Sequence, residues 1–404
     1  MARIVQKYGG TAVTTPDQIK NIAQRVVDSY NEINDVVVVI SARAGETNRL
    51  IEMANEMCPG QEGREYDLLI SAGEQVSVGL LGLCITSLGY KVKSYLGWQV
   101  PIITDSLHSR ASIENIDPAR INTDLQMGAI VIVAGFQGID GDGNITTLGR
   151  GGGDTSAVAL AHALGAEQCE LYSDVEGIFT ADPAVCSDAR KIEQISYDEM
   201  LEFASEGARG VQIRAIEYAK KNNVTIHVRS SFSSTAGTLI TREETVMEGV
   251  VVTGIVYDKN EAKIAVLGVP DKPGVAARIL MALADADISV DMIVQNVSQG
   301  GLADVTFTIS KTDLDKAQSI TAKIAEELQA REVIADRNIS KVSIVGLGMK
   351  NHAGVAARMF AALAFNNINI QMISTSEIKV AVAIDEKYTD LAVRVLHETF
   401  KVAV

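Results

Sequence analysis

Apolar positions in the first 230 or so residues follow two rhythms. Short continuous runs, Ile4-Val5, Val36 to Ile40 and Ala129 to Val133, alternate with longer stretches where apolar residues recur every three or four positions. Continuous Val/Ile runs spaced by amphipathic helices predict buried strands of a mainly parallel sheet covered by helices on both faces. The first helix is clearly signalled. Thr15-Pro16-Asp17-Gln18 sets an N-cap threonine, a first-turn proline and a capping-box glutamine in register, and Ile19, Ile22, Ala23, Val26 and Val27 follow at helical spacing.

The C-terminal part carries an internal repeat. Lys263 to Gly268 leads to Gly274-Val275-Ala276-Ala277-Arg278, and 80 residues on from Gly274, after Lys341 to Gly346, stands Gly354-Val355-Ala356-Ala357-Arg358. Each copy continues through an apolar helix to a second strand-like stretch, Ile288 to Ile293 in one and Ile368 to Ile373 in the other. The pattern reads as two ferredoxin-like βαββαβ modules. Between the halves, Ser230 to Thr241 is rich in Ser, Thr and Gly and marks the boundary. The expected domains are therefore residues 1–241, 242–336 and 337–404, with a leading strand of the second that the third could share.

Length and composition narrow the class. A chain of 404 residues with 47% hydrophobic content suits two or three globular domains. A net charge of −15 argues against a nucleic-acid surface, so an anionic ligand must be drawn in by local cations. No segment reads as a membrane span or a signal peptide, which gives a cytoplasmic expectation with no membrane partner. The four cysteines lack C-x-x-C spacing and read as free thiols, and the five histidines lack metal-ligand spacing.

The chemistry-bearing motifs are glycine-rich. Leu148-Gly149-Arg150-Gly151-Gly152-Gly153-Asp154-Thr155 opens into an apolar helix with a cation before the glycines and an acid after them. Glycines admit close backbone approach, a helix start offers free N–H groups, and an arginine clamps a carboxylate or phosphate. Lys7-Tyr8-Gly9-Gly10-Thr11 follows the first strand. Together these suggest phosphate chemistry, although neither a P-loop nor a dinucleotide-binding G-x-G-x-x-G is present. Asp140-Gly141-Asp142-Gly143-Asn144 departs from a calcium loop at Ile145 and Gly151 and reads as a hairpin turn. Lys7, Gly9, Gly10, Thr11, Ser41, Glu74, Arg150 to Asp154, Ser173, Asp174 and Asp182 are expected at strand-to-helix turns, which gather at the carboxyl edge of an open sheet where ligands bind.

Val5 to Thr11, Gly45 to Leu50, Val133 to Gly138, Thr147 to Gly152 and Ser230 to Leu239 resemble the aspartokinases, within the amino-acid kinase family, and the similarity runs the length of the chain. The repeated modules resemble paired ACT domains, Asp271-Lys272-Pro273-Gly274 and Gln295-Asn296-Val297-Ser298 matching the first. The resemblance implies ATP- and Mg²⁺-dependent phosphorylation of the side-chain carboxylate of L-aspartate, entry to the lysine, threonine, methionine and isoleucine routes. It also implies lysine or threonine as feedback effectors, and a homodimer or homotetramer joined through the ACT modules. Carried over by motif, Lys7 and Asp154 are catalytic, and Thr47, Glu74 and Arg150 bind substrate. Gly9, Gly10, Thr11, Ser41, Gly151, Gly152, Ser173, Asp174, Phe179, Asp182 and Arg209 bind phosphate and nucleotide, Gly9 and Gly10 through backbone N–H groups. Asp271, Gly274, Ala276, Asp291, Gln295, Asn369 and Ile370 line the effector site, and no protein side chain is assigned to the metal.

The resemblance has gaps. Ala12 and Gly153 stand where serines are usual, Arg43 for methionine, Ala184 for arginine and Arg209 for lysine. A lost hydroxyl aimed at a phosphoryl oxygen costs roughly 2 to 4 kcal/mol of transition-state stabilisation by analogy with oxyanion-hole deletions. Two alternatives to an active aspartokinase are thus a weakened, amino-acid-binding regulatory paralogue and a kinase for a related acidic amino acid. Retention of Lys7, Glu74, Arg150 and Asp154 ranks activity first.

Overall fold

Where valine and isoleucine run without interruption, the chain forms strands buried on both faces: Val36 to Ile40 and Ile130 to Ala134 are wholly inaccessible. The computed structural model describes residues 2–33, 35–243, 251–297, 300–352 and 354–402, so Ser298 lies outside the described residues. In chain order the N-terminal elements are β1 (Arg3–Tyr8), α1 (Pro16–Ile33), β2 (Asp35–Ile40), α2 (Glu46–Met57), α3 (Arg64–Ile70), α4 (Ala72–Ser87), β3 (Val92–Tyr95), β4 (Ile102–Thr104), β5 (Ile113–Ile116) and α5 (Ala119–Gln126). They continue with β6 (Ile130–Ala134), β7 (Gln137–Ile139), β8 (Ile145–Thr147), α6 (Gly152–Leu164), β9 (Gln168–Ser173), β10 (Gln194–Ser196), α7 (Tyr197–Ser205), α8 (Ile213–Asn222), β11 (Ile226–Ser230) and β12 (Thr238–Thr241). The C-terminal elements are β13 (Gly254–Pro270), α9 (Val275–Ala284), β14 (Val290–Val297), β15 (Leu302–Ser310), α10 (Leu314–Glu327), β16 (Glu332–Val345), α11 (Val355–Phe365), β17 (Ile370–Thr375), β18 (Lys379–Asp385) and α12 (Thr389–Phe400).

Two compact units result. The first holds the chain up to Ile178, Lys191–Ser205 and the stretch from Arg209 through β12; the second holds Phe179–Arg190, Glu206–Ala208 and the chain from Val251 onward. In the first, strands run β10-β12-β11-β9-β1-β2-β6-β3, parallel except for the β11/β12 pair. One face packs Ile4, Val36, Val38, Ile130 and Ile132 against Ile22 and Val26 of α1 and Leu81 and Ile85 of α4. The capping box closes as read: Thr15 N–H donates to Gln18 Oε1 at 2.9 Å, and Gln18 N–H to Thr15 Oγ1 at 3.3 Å. A second sheet, β5-β4-β7-β8, contains the hairpin whose Asp140 carboxylate accepts from the N–H groups of Asp142 and Asn144.

The helical stretch Arg64–Ser87, 24 residues, is long and apolar enough to cross a membrane, contrary to the expectation that no segment is. Half of its most apolar window is nonetheless buried inside the fold, and it carries two buried carboxylates, Asp67 and Glu74. Long core helices share the length and composition of spans, so these two properties do not separate the cases.

In the second unit all six strands form one sheet, β14-β15-β13-β16-β18-β17. The repeat is real, but the copies interleave. The start of β13 pairs with the end of β16 (Gly254 with Val345), whereas its latter half pairs with the start of β16 (Leu267 with Glu332), so each long strand serves both modules. Register shifts between Asp258 and Lys263 break the long pairing. The strands at the two ends of the order, β14 and β17, still meet: Met292 and Met372 join Ile339 and Ala383 in one small cluster. Both Gly-Val-Ala-Ala-Arg motifs start helices, with Gly274 (φ 94°) and Gly354 (φ 90°) in the left-handed region that glycine tolerates.

Candidate functional site

At the carboxyl end of β1 the side chain of Lys7 turns towards the glycine run, and its Nζ lies 2.5 Å from Asp154 Oδ1. Both side chains are largely buried, so the pair joins the chain's first strand to the first turn of α6. Gly153 lies against it: a Cβ there would stand 3.1 Å from Ser41 Oγ and 3.5 Å from Lys7 Cε. The Ser41 hydroxyl thus borders the space that a serine at 153 would use, beside the lysine. The loop geometry demands glycine at Gly152, where a Cβ would meet Leu148 Cβ at 2.7 Å and the Phe136 ring at 3.2 Å.

Two backbone donors assigned to phosphate are already engaged. Gly9 N–H donates to Tyr172 O at 3.1 Å and Gly152 N–H to Gly149 O at 2.9 Å. What Gly9 contributes is space, since a Cβ would sit 3.5 Å from Lys7 Nζ. Gly10 and Thr11 head a single 3₁₀ turn (Gly10–Val13), whose first N–H groups have no partner within the turn. Gly10 must be small, because a Cβ would stand 2.9 Å from Ala42 O. Arg43 donates twice to Thr14 O, at 3.1 and 2.8 Å, and ties this turn to the loop after β2.

Glu74 departs from the expected strand-to-helix placement. It lies in the first turn of α4, at the junction of two helices, and is 3% exposed. Oε1 accepts from Ala42 N–H at 2.9 Å, whereas Oε2 has no hydrogen-bond partner among the described residues. Burial pushes its pKa up from 4.5 to about 7, against the lowering effect of the Ala42 N–H. Thr47 is half-buried near the start of α2, behind Gly45 at φ 80°. Arg150 is exposed and has no carboxylate partner among the described residues. The glycine run also leaves a different sheet than expected, following β8 of the four-stranded sheet and not a strand of the parallel one.

Ser173 ends β9 and Asp174 follows it, beside β1, where Tyr8 pairs with Tyr172 and their rings stack at 4.8 Å. Arg209 is an exposed residue of the first unit. Phe179 and Asp182 belong instead to the second unit, and Asp182 Oδ2 accepts there from Tyr257 Oη at 2.8 Å. The chain divides between Ile178 and Phe179, so this stretch does not join the Lys7 cluster within one unit. No group of three His, Cys, Asp or Glu that could hold a metal occurs among the described residues. Two residues escaped the sequence reading. Phe136 adopts φ 70°, a strained setting for a bulky side chain, and Asp67 is an acid with no exposed surface in an apolar helix. The signal for Asp67 was a charge inside the run Tyr66 to Ile70.

In the second unit Asp271 and Gly274 precede α9, Ala276 lies on it, and Asp291 and Gln295 are exposed on β14. Asn369 and Ile370 are at the start of β17, at the other end of the hydrogen-bonded order. Asp291 is ion-paired to the buried Lys341, whose Nζ is also 3.5 Å from carboxylate oxygens of Glu206 and Glu261. Glu206 in turn accepts from Lys379 at 2.7 Å.

Comparison with known proteins identifies the family. The amino acid kinase family profile matches residues 2–230, and ACT domain profiles match 263–329 and 342–400. An aspartokinase of Pseudomonas aeruginosa is 52% identical over 403 residues, covering 99% of this chain and 98% of that one. The chain belongs to the aspartokinase family. It is accordingly a kinase with ACT domains, and its fold is that of solved aspartokinases. Aspartokinase III of E. coli, solved in complex with lysine and aspartate in a T-state, aligns over 98% of this chain and 99% of its own with a TM-score of 0.79 and 25% identity. The same enzyme solved with aspartate and ADP in an R-state also gives 0.79, at 24% identity.

Proposed function

We infer that this aspartokinase transfers the γ-phosphoryl group of ATP to the side-chain carboxylate of L-aspartate, forming L-aspartyl 4-phosphate and ADP. The buried Lys7–Asp154 pair carries the assignment of the site: it fixes a cation at the mouth of two glycine turns while Asp154 holds it in place. A carboxylate acceptor is ionised at neutral pH, so the step needs no general base and depends on positioning and charge neutralisation. Lys7 meets the transferring phosphoryl oxygens, Ser41 offers a hydroxyl beside them, and Gly10 and Thr11 bind phosphate at the start of their 3₁₀ turn. Arg150 takes the substrate's α-carboxylate, the open Oε2 of Glu74 takes its ammonium, and Thr47 lies at the same end. Ser173, Asp174, Phe179, Asp182 and Arg209 serve the nucleotide. Mg²⁺, where bound, neutralises phosphate charge. It would be held through phosphate and water oxygens, with no protein side chain assigned to it.

Residues 1–241 form the catalytic domain in this reading and 242–404 the regulatory ACT pair. Lysine or threonine binds at Asp271, Gly274, Ala276, Asp291 and Gln295, with Asn369 and Ile370 contributed by the second module. Two copies joined through the ACT modules, in a homodimer or a homotetramer, complete the cleft. The enzyme works in the cytoplasm at the head of lysine and threonine biosynthesis. Hydroxylamine trapping with aspartate and MgATP tests the reaction: the full chain yields the hydroxamate, and Lys7→Ala lowers the rate at least 100-fold. Equal product from both overturns the assignment of Lys7.

A further inference from the structure

Asp67 has no place in the chemistry above, yet its carboxylate is heavily engaged. It sits on α3 with no accessible surface and accepts from Thr147 Oγ1 at 2.6 Å, Thr147 N–H at 2.9 Å and Ser109 N–H at 3.1 Å. His108 Nδ1 lies 2.8 Å from its Oδ2, and Ser109 Oγ 3.5 Å from its Oδ1. A buried carboxylate persists only when its lone pairs are satisfied, and here two distant segments satisfy them.

Those segments lead to the substrate groups. Thr147 ends β8 three residues before Arg150, and Gly149 is packed so closely on Ser109 that a Cβ would stand 2.9 Å from Ser109 O. Asp67 itself is seven residues before Glu74, and the intervening helix junction is tied to the same hairpin by Gln137 Nε2 donating to Ser71 O at 3.1 Å. Arg214 further pins the strand, donating to Leu148 O at 2.5 Å and Ala111 O at 2.8 Å.

We propose that Asp67 is a positioning residue for amino-acid recognition: it locks the loop bearing Arg150 to the helices bearing Glu74 and so fixes the spacing between α-carboxylate clamp and ammonium acceptor. The proposal rests on the roles inferred for Glu74 and Arg150. Its consequence is specificity. An α-amino acid presents ammonium and carboxylate from one carbon, so a rigid pair of receivers reads both their separation and their handedness. Displacements of about 1 Å between such groups can cost on the order of 100-fold in rate.

The test is steady-state kinetics of the full chain carrying Asp67→Asn, and separately Thr147→Val, which deletes only the hydroxyl bonded to Asp67. Expected is a rise of about tenfold or more in KM for L-aspartate with KM for ATP unchanged. The L- over D-aspartate preference in kcat/KM should fall in the same variants, and Thr147→Ser should restore both values. A merely structural role lowers the melting temperature and the active fraction in both variants but leaves KM and the stereochemical preference alone; that result overturns the proposal. Glu74→Gln and Arg150→Lys run alongside. If neither raises KM for aspartate, the substrate site itself is misassigned; if both do while Asp67→Asn and Thr147→Val do not, only the positioning role fails.

Discussion

The open oxygen of Glu74 makes aspartate recognition dependent on pH. Only the carboxylate can receive an ammonium group, and burial holds this carboxyl protonated up to about pH 7 in the free enzyme. With one titrating group, the apparent KM scales as one plus the ratio of protonated to ionised enzyme. KM for aspartate should then be about tenfold higher near pH 6 than near pH 8, the factor expected for one proton competing across a pKa at the centre of that range. The bound ammonium favours the ionised form, so kcat at saturating aspartate and ATP should change much less. Stability carries the opposite sign. The folded-state pKa lies above the unfolded one, so the native state binds more protons between about 4.5 and 7 and loses stability as pH rises through that window. A shift of this size corresponds to roughly 3 kcal/mol of burial cost for the ionised carboxylate above pH 7. Glu74→Gln removes that cost: it should raise the melting temperature at about pH 8 while raising KM for aspartate and flattening its pH profile. Initial rates over aspartate concentration at several pH values, with calorimetry of both proteins, decide the matter. A flat kcat/KM between pH 6 and 8, or an unchanged slope in the glutamine variant, refutes the reasoning.

Two other outcomes concern the second unit. Lys341→Met leaves Glu206, Glu261 and Asp291 without their shared cation and should destabilise by roughly 3 to 5 kcal/mol in calorimetry at about pH 8. The loss should be smaller near pH 6, because burial already raises the Glu261 carboxyl to about 7 and it can take up a proton. An effector at saturating concentration, about 100 times its dissociation constant, should stabilise the native chain by about 2.7 kcal/mol, so a thermal-shift comparison of lysine, threonine and their mixture identifies it. Asp291→Ala should abolish that shift, and a shift that survives places the effector elsewhere.

Much of the fold could be read in advance because its signals are local. The strand at Asp35–Ile40, the capped helix at Pro16 and the two glycine-started helices each follow from a few neighbouring residues. Lys7 and Asp154 were both assigned to catalysis on the strength of resemblance, and the structure sets them 2.5 Å apart. What escaped was long-range. Nothing near Gly9 indicates that its N–H is bonded to Tyr172, a partner brought alongside only by the β1/β9 pairing. Glu74 was expected at a strand-to-helix turn, yet Ser71 merely joins two helices. Asp182 follows the kinase-type strands in sequence, but Tyr257 and the apolar neighbours Ala181 and Cys186 draw it into the other unit. The repeat and a leading strand that both modules could share were read in advance, whereas the pairing of β13 with both ends of β16 was not, because pairing partners of an antiparallel strand leave no mark on spacing.

That interleaving limits how the regulatory half can change. Since β13 and β16 each contribute edge-to-edge hydrogen bonds to both βαββαβ copies, a cut between the copies would strip a strand from each and leave open, aggregation-prone borders on the two fragments. Duplication could create this arrangement, but loss of a single copy cannot undo it without unravelling the survivor. The two copies should therefore unfold together.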